Sequence, residues 1–175
     1  MKIIITGAFG FLGWHARLRL RALTDHEFIS VGRAEWPDLP SLVQDADAVI
    51  HVAGINRADS DEEVGEGNAR LAEDLATAIT LNGEPVRVVY ANSIQAGNGT
   101  PYGGGKHHAA QILSAAVSST NGHFVDVRLP NIFGEHGRPR YNSFVATFVH
   151  STVEGLAPSI NDKQVGLLHA QDAAG

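Results

Sequence analysis

Tyr102 and Lys106 stand four residues apart in Tyr102-Gly103-Gly104-Gly105-Lys106, with Ser93 upstream. If residues 103–106 are helical, both side chains share one face, where an ammonium favours phenolate over phenol. A tyrosine so placed can give or take a proton near neutral pH, despite a reference pKa of about 10. Ser93 follows Val88-Val89-Tyr90-Ala91-Asn92 at the carboxyl end of a strand-like run. Its hydroxyl can donate to a carbonyl oxygen on which negative charge develops. These residue types suit proton delivery to that oxygen while hydride reaches its carbon, with Lys106 also hydrogen-bonding a nicotinamide ribose. A Tyr and a Lys at this spacing are common on helix surfaces, so the pair gains weight only from its context.

That context opens the chain. Ile3-Ile4-Ile5 leads into Thr6-Gly7-Ala8-Phe9-Gly10-Phe11-Leu12-Gly13, a G-x-x-G-x-x-G spacing between a buried strand and a helix. Gly7 can make the turn, Gly10 can admit a pyrophosphate close to backbone, and Gly13 can let helix and sheet pack closely. Phe9, Phe11 and Leu12 belong to the same candidate cofactor loop. At the end of the second strand, Val31-Gly32-Arg33 offers an arginine where NAD sites commonly carry Asp or Glu. Arg33 would attract a 2′-phosphate with no carboxylate at that point to repel it, so NADP(H) is favoured over NAD(H). Val52 and Ala53, with Gly54, are candidates to face a ribose or adenine. His51 either hydrogen-bonds there or is satisfied by packing, and Asp38 is a candidate to reach the adenine.

Asn68 lies within an apolar stripe of Val64, Leu71, Leu75 and Ile79 at helical spacing. A buried amide must find partners. Two readings stay open: a proton route behind Lys106, or bonds to neighbouring main chain alone. The chain lacks cysteine and its nine histidines show no H-x-x-x-H spacing, so no metal site is expected.

The elements that must position these groups are short β-branched runs alternating with helical stretches. Strands are expected at Lys2–Thr6, Glu27–Val31, Ala48–Val52, Val86–Tyr90 and Phe124–Arg128, with helices near 12–23, 40–45, 62–81, 103–119 and 142–154. The fold expected is α/β, a Rossmann-like doubly wound parallel sheet flanked by helices, with an incomplete small substrate lobe. Gly32–Asp47, with Pro37 and Pro40, leaves room for one short helix only. Residues 1–130 read as the NAD(P)-binding core, 131–163 as a partial substrate-binding region, and 164–175 as a late strand with a truncated end. Asp172-Ala173-Ala174 resembles the start of an unfinished helix, so a longer natural protein is expected.

Composition narrows the partners. The 175 residues carry 13 Lys+Arg against 19 Asp+Glu, a formal net charge of -6, which argues against nucleic acid. The short apolar start reads as a strand rather than a signal peptide, and no stretch suits a bilayer, so a cytoplasmic location is expected. A homodimer is a candidate assembly.

These residues resemble the extended short-chain dehydrogenase/reductase superfamily of nucleotide-sugar epimerases, dehydratases and reductases. Thr6–Gly13 resembles its cofactor loop, Asn68 its helix Asn, and Ser93, Tyr102 and Lys106 its active-site set. Arg128-Leu129-Pro130-Asn131-Ile132-Phe133-Gly134 resembles the segment whose Asn contacts the sugar nucleotide. Ser93-Ile94-Gln95-Ala96, Asn56-Arg57 and Arg138–Phe148 are similar to the reductase domain of the capsular-polysaccharide CapF family. That resemblance implies NADPH reduction of the C4 ketone of a UDP-linked 2-acetamido-2,6-dideoxy sugar. It implies cofactor phosphate contact for Arg33, substrate proximity for Asn131, and a substrate-loop role for Arg138, Tyr141, Asn142 and Ser143. An NAD-retaining 4-epimerase or dehydratase and a non-catalytic NAD(P)-binding module are the alternatives. Two departures stand out: residues 1–175 match only the part of the family before its remaining substrate lobe and metal-associated cupin domain, and Gly104-Gly105 replaces bulkier residues.

Overall fold

Ile3-Ile4-Ile5 forms the centre of β1 (Lys2–Thr6) and is buried throughout, as a strand between two helical layers must be. The computed structural model describes residues 1–175. With β2 (Glu27–Val31), β3 (Ala48–His51), β4 (Arg87–Ser93) and β5 (His123–Leu129), β1 builds an all-parallel sheet in the order β2-β1-β3-β4-β5. The chain leaves β1 to one side for β2 and returns to its other side for β3. Strand order thus reverses at β1, the point where open α/β sheets form a ligand crevice at their carboxyl ends.

The chain forms six helices: α1 (Phe11–Leu23), α2 (Leu39–Val43, after a 3-10 turn at Trp36–Asp38), α3 (Asp61–Asn82), α4 (Pro101–Ser119), α5 (Phe144–Val153) and α6 (Ala170–Ala173). The larger core lies where α2, α3 and α4 cover the sheet, with Leu75, Ile79, Leu113 and Val117 packed on Ile4, Val49 and Val88. Each such buried aliphatic side chain contributes about 1.5–3 kcal/mol, so this face dominates the hydrophobic stabilisation. Ile3, Ile5, Ala8 and Ala48 make a smaller cluster on the opposite face, against Leu20 of α1. No helix is long and apolar enough to cross a membrane.

Several expectations shift in detail. β4 runs on to Ser93, which pairs with Leu129, so the serine is the last strand residue rather than the first loop residue. α4 begins at Pro101, capped by the Thr100 side chain on the Gly103 amide, and so carries the glycine triplet in its first turns. The late strand, β7 (Leu167–His169), pairs in parallel with an unforeseen β6 (Asn131–Phe133). α6 follows β7 at once and packs against α1, where Arg19 Nη1 donates to the Gln171 carbonyl at 3.3 Å.

Candidate active site

A cavity of about 1180 Å³ opens at the carboxyl ends of the strands. It brings together Gly7, Phe9, Gly10, Phe11, Leu12, Arg33, Val52 and Ala53 at one end, and Ser93, Tyr102, Lys106, Asn131 and Asn142 at the other. Gly13, Asp38, His51, Asn68, Arg138, Tyr141 and Ser143 do not line it, and each has another setting described below.

The glycine loop is shaped by its neighbours. Gly7 has φ +66°, and a Cβ there would lie 2.6 Å from the Ala53 nitrogen and 2.7 Å from its Cα, so the loop presses directly on the chain leaving β3. A Cβ on Gly13 would come within 2.8 Å of the Ala8 Cα, which explains its place in packing rather than in the cavity wall. Among the four helices of ten or more residues, α1 alone starts without a side-chain cap, and its first turn holds no acidic residue. Ser60, Thr100 and Ser143 cap the other three. The free amides at the start of α1 therefore face the cavity as donors for an anion. Uncapped amides beside a glycine turn that lines the cavity fit a dinucleotide pyrophosphate.

The end of β2 differs from expectation. A carboxylate does stand there: Glu35 Oε2 accepts from the Gly32 amide at 2.8 Å, because the turn after Arg33 brings the side chain back. Arg33 and Trp36 line this end, so one cation and one anion frame it. Asp38 lies outside the cavity, capping neither the 3-10 turn nor α2 with its side chain; its amide donates to the Glu35 carbonyl and its carbonyl accepts from Ser41. His51 is corrected from a cofactor contact to a core residue: 1% exposed, it bonds Thr6 Oγ1 through Nδ1 at 2.7 Å. Burial, aided by the Lys106 charge, lowers its pKa from 6.5 to about 3, so it is neutral.

Tyr102 and Lys106 both reach the cavity from the first turns of α4, and Ser93 meets them from β4. Burial raises the Tyr102 pKa above its ordinary value, while the polar influence of the Ser93 hydroxyl acts in the opposite direction. Ser93 Oγ also accepts from the Gln95 amide at 3.1 Å. Lys106 is not what tunes the phenol in this state, contrary to the expectation from spacing. Its Nζ donates to the Ala91 carbonyl at 2.8 Å and lies 4.2 Å from the centre of the Tyr90 ring, because β4 passes directly beneath it. Burial lowers the Lys106 pKa to about 8, against an upward pull from Asp126.

Of the two readings of Asn68, the main-chain one describes this structure. Its Oδ1 accepts from the Ile55 amide at 3.2 Å, and its Nδ2 donates to the Ile55 and Val64 carbonyls, both at 2.7 Å. The amide thereby pins the loop after β3 to α3, and both Ile55 and Asn56 line the cavity. On the lobe side, Asn131 Nδ2 donates to the Gly166 carbonyl at 3.4 Å, and Ser143 caps α5. Two guanidinium groups lie against the Tyr141 ring, Arg57 at 5.1 Å and Arg138 at 5.2 Å from its centre. Arg57 also donates to Asn142 Oδ1 at 3.1 Å and to the Tyr141 carbonyl, tying the two loops at the cavity mouth together. Sequence reasoning missed Glu35, Trp36 and Gln95. An aromatic residue shortly after the β2 run was a visible signal for Trp36; for Glu35 and Gln95 the loop geometry was needed.

The sequence profile of the NAD dependent epimerase/dehydratase family matches residues 3–174. The chain belongs to this family. Among epimerase/dehydratase proteins it is 34% identical to a UDP-2-acetamido-2,6-beta-L-arabino-hexul-4-ose reductase from Pseudomonas aeruginosa, with 98% of this chain and 47% of that protein covered. The capsular polysaccharide assembling protein CapF from Staphylococcus aureus is similar in structure, with TM-score 0.79 and 28% identity over 99% of this chain and 47% of that one. A UDP-N-acetylglucosamine 4-epimerase from Bacillus cereus shares the fold, with TM-score 0.80 and 21% identity over 99% of this chain and 69% of that one. The chain spans about half the length of the first two relatives. Membership in an epimerase/dehydratase family that binds NAD(P) agrees with the parallel sheet and the uncapped α1 terminus beside the glycine loop.

Proposed function

We propose that this chain is an NADPH-dependent reductase of a UDP-linked 4-keto-6-deoxy amino sugar, or the cofactor-binding part of such an enzyme, in the making of surface polysaccharide precursors. The observation that carries the reading is the convergence of Ser93, Tyr102 and Lys106 on a cavity whose other end is the α1 terminus and Arg33. When bound, reduced nicotinamide supplies hydride to the carbonyl carbon. Ser93 Oγ donates to the carbonyl oxygen as charge builds on it, and Tyr102 Oη gives that oxygen its proton. The raised phenol pKa keeps Tyr102 protonated and ready to donate. Lys106 holds the ribose and, once turned toward it, favours the phenolate that the transfer leaves behind. The α1 amides and Gly10 hold the pyrophosphate, and Arg33 takes the 2′-phosphate. Asn131 and Asn142 address the sugar nucleotide, with Arg138, Tyr141 and Ser143 shaping that loop.

Glu35 favours a second reading. A carboxylate on the Gly32 amide can accept from unphosphorylated ribose hydroxyls, as an NAD-retaining 4-epimerase or dehydratase would require. NADPH oxidation with the UDP-linked 4-keto-6-deoxy sugar tests both readings. Turnover of free NADPH, with a drop of roughly 10²–10⁴-fold in Tyr102→Phe, supports the reductase. Full activity in Tyr102→Phe would remove the proposed proton donor, and tightly held NAD with no net oxidation would favour the epimerase. Cofactor binding without turnover would leave a binding module.

A further inference from the structure

Lys106 is 5% exposed, yet none of the ion pairs in the molecule involves it. A buried ammonium without a counter-ion ordinarily gives up its proton. The groups facing it come from three strands and its own helix: Tyr90 and Ala91 on β4, His51 on β3, Asp126 on β5, and Tyr102 on α4. His51 is neutral and contributes no charge. Asp126 is the anion of the set, but it acts from a distance, engaged by Asn92 Nδ2 at 2.7 Å and by Arg128 Nε at 3.4 Å. Tyr90 is 1% exposed, and burial, together with Tyr102 and Asp126, pushes its phenol up, so it cannot serve as a phenolate counter-ion. What it presents to Lys106 is the negative face of its ring, 4.2 Å from Nζ.

The ring is itself held. His51 lies 5.5 Å from it on the strand beside β4, and Trp36 lies 6.4 Å from His51. An aromatic column therefore runs from the β2 end of the cavity to the ammonium. We propose that Tyr90 is a positioning residue for Lys106, its ring face rather than a carboxylate keeping the buried ammonium charged while the Ala91 carbonyl sets its direction. This arrangement has a chemical advantage. An ammonium has three donors, and a ring attracts the cation without capturing any of them in an ion pair. With one donor on Ala91, two are left for the cavity, and no fixed anion is set against an incoming phosphate or a developing negative oxygen. The consequence for turnover rests on the role given to Lys106 above; the pairing itself does not.

The chain has three lysines, Lys2, Lys106 and Lys163, so ε-carbon NMR of protein labelled with [13C]lysine reads Lys106 directly. Lys106 is expected to titrate at about 8 in the wild type, with Lys2 and Lys163 as internal controls. Tyr90→Phe keeps the ring and leaves that value in place. Tyr90→Leu lowers it by about one pH unit, the size expected for a desolvated ring–cation contact. Because Tyr90→Leu also disturbs the core, difluoro- and trifluorophenylalanine at position 90 provide a series of nearly constant shape; the Lys106 titration falls stepwise as fluorine drains the ring face. A flat fluorination series overturns the proposal, as does a Tyr90→Leu protein that is folded and titrates like wild type. The pH profile of kcat/KM with NADPH and the UDP-ketosugar is expected to move with the NMR titration. If the titration moves and the profile does not, the pairing stands and the role of Lys106 in turnover is what fails.

Discussion

Gly105 and Gly65 meet backbone to backbone where α4 crosses α3: a Cβ on Gly105 would lie 2.6 Å from the Gly65 Cα. Gly65 in turn sits against the Pro101 carbonyl, where a Cβ would come within 2.6 Å. Gly105 thus serves a helix crossing, and the crossing fixes the height at which α4 delivers the side chains of Tyr102 and Lys106.

Gly105→Ala is expected to force the helices apart, with a loss of about 1–3 kcal/mol in urea unfolding and a fall in turnover from displaced side chains. Gly104 has nothing within 4 Å of its would-be Cβ. Gly104→Ala should therefore stabilise by about 1 kcal/mol through helix propensity alone. Equal effects at both positions would refute the crossing as the reason for glycine at position 105.

The pH profile of kcat/KM should decline above about pH 8. Lys106 is charged below that point and loses its proton above it, while Tyr102 remains a phenol throughout the range because its pKa is raised. A profile flat to pH 10 would contradict this assignment.

Acid should destabilise the fold through His51. The unfolded chain binds a proton at this residue below about pH 6.5, whereas the folded chain resists it down to about 3, so falling pH favours unfolding across that window. Urea midpoints from pH 7 to pH 4 should fall less steeply in the double variant His51→Leu/Thr6→Val, which removes both partners and leaves no buried hydroxyl unpaired. Parallel slopes in the two proteins would assign the acid sensitivity elsewhere.

Cofactor choice should divide between Arg33 and Glu35. Arg33→Ala is expected to weaken NADP binding by roughly 10–100-fold, the worth of a charge-assisted phosphate contact, with little effect on NAD. Glu35→Gln should shift preference toward NADP by removing a like charge. Fluorescence titration with each reduced cofactor measures both, and an Arg33→Ala protein with unchanged NADP affinity would sink the assignment.

Hydrogen exchange should report the tie at the cavity mouth. In Arg57→Ala the amides of Arg138 and of residues 140–143 should exchange faster than in wild type, because the guanidinium holds Tyr141 and Asn142 from across the cleft. Unchanged protection would show that the loop is held by its own capping of α5.

Much of this architecture is legible in the residues. The β-branched runs mark β1 and β2 to the residue, and the short proline-bearing stretch after Arg33 indicates a single reduced helix. Alternation along β3 puts His51 on the same side as buried Val49, a clue to its core setting that outweighs its position at a strand end. β7 falls within the late strand the residues suggest, whereas its partner β6, three residues directly after Pro130, is too short for any period to register. The Glu35 contact and the Tyr90 platform depend on how a turn folds back and where one strand passes beneath a helix. Neither follows from spacing along the chain.

Gly7 allows a last distinction. Its positive φ and the Ala53 backbone pressed against it exclude a side chain whether or not any ligand is ever bound. A library of variants selected for folding alone would keep glycine at this position while releasing Arg33, Tyr102 and Asn131. Gly7 therefore records how the chain is packed, and the signature of what the protein has been selected to do must be sought in residues that such a screen lets drift.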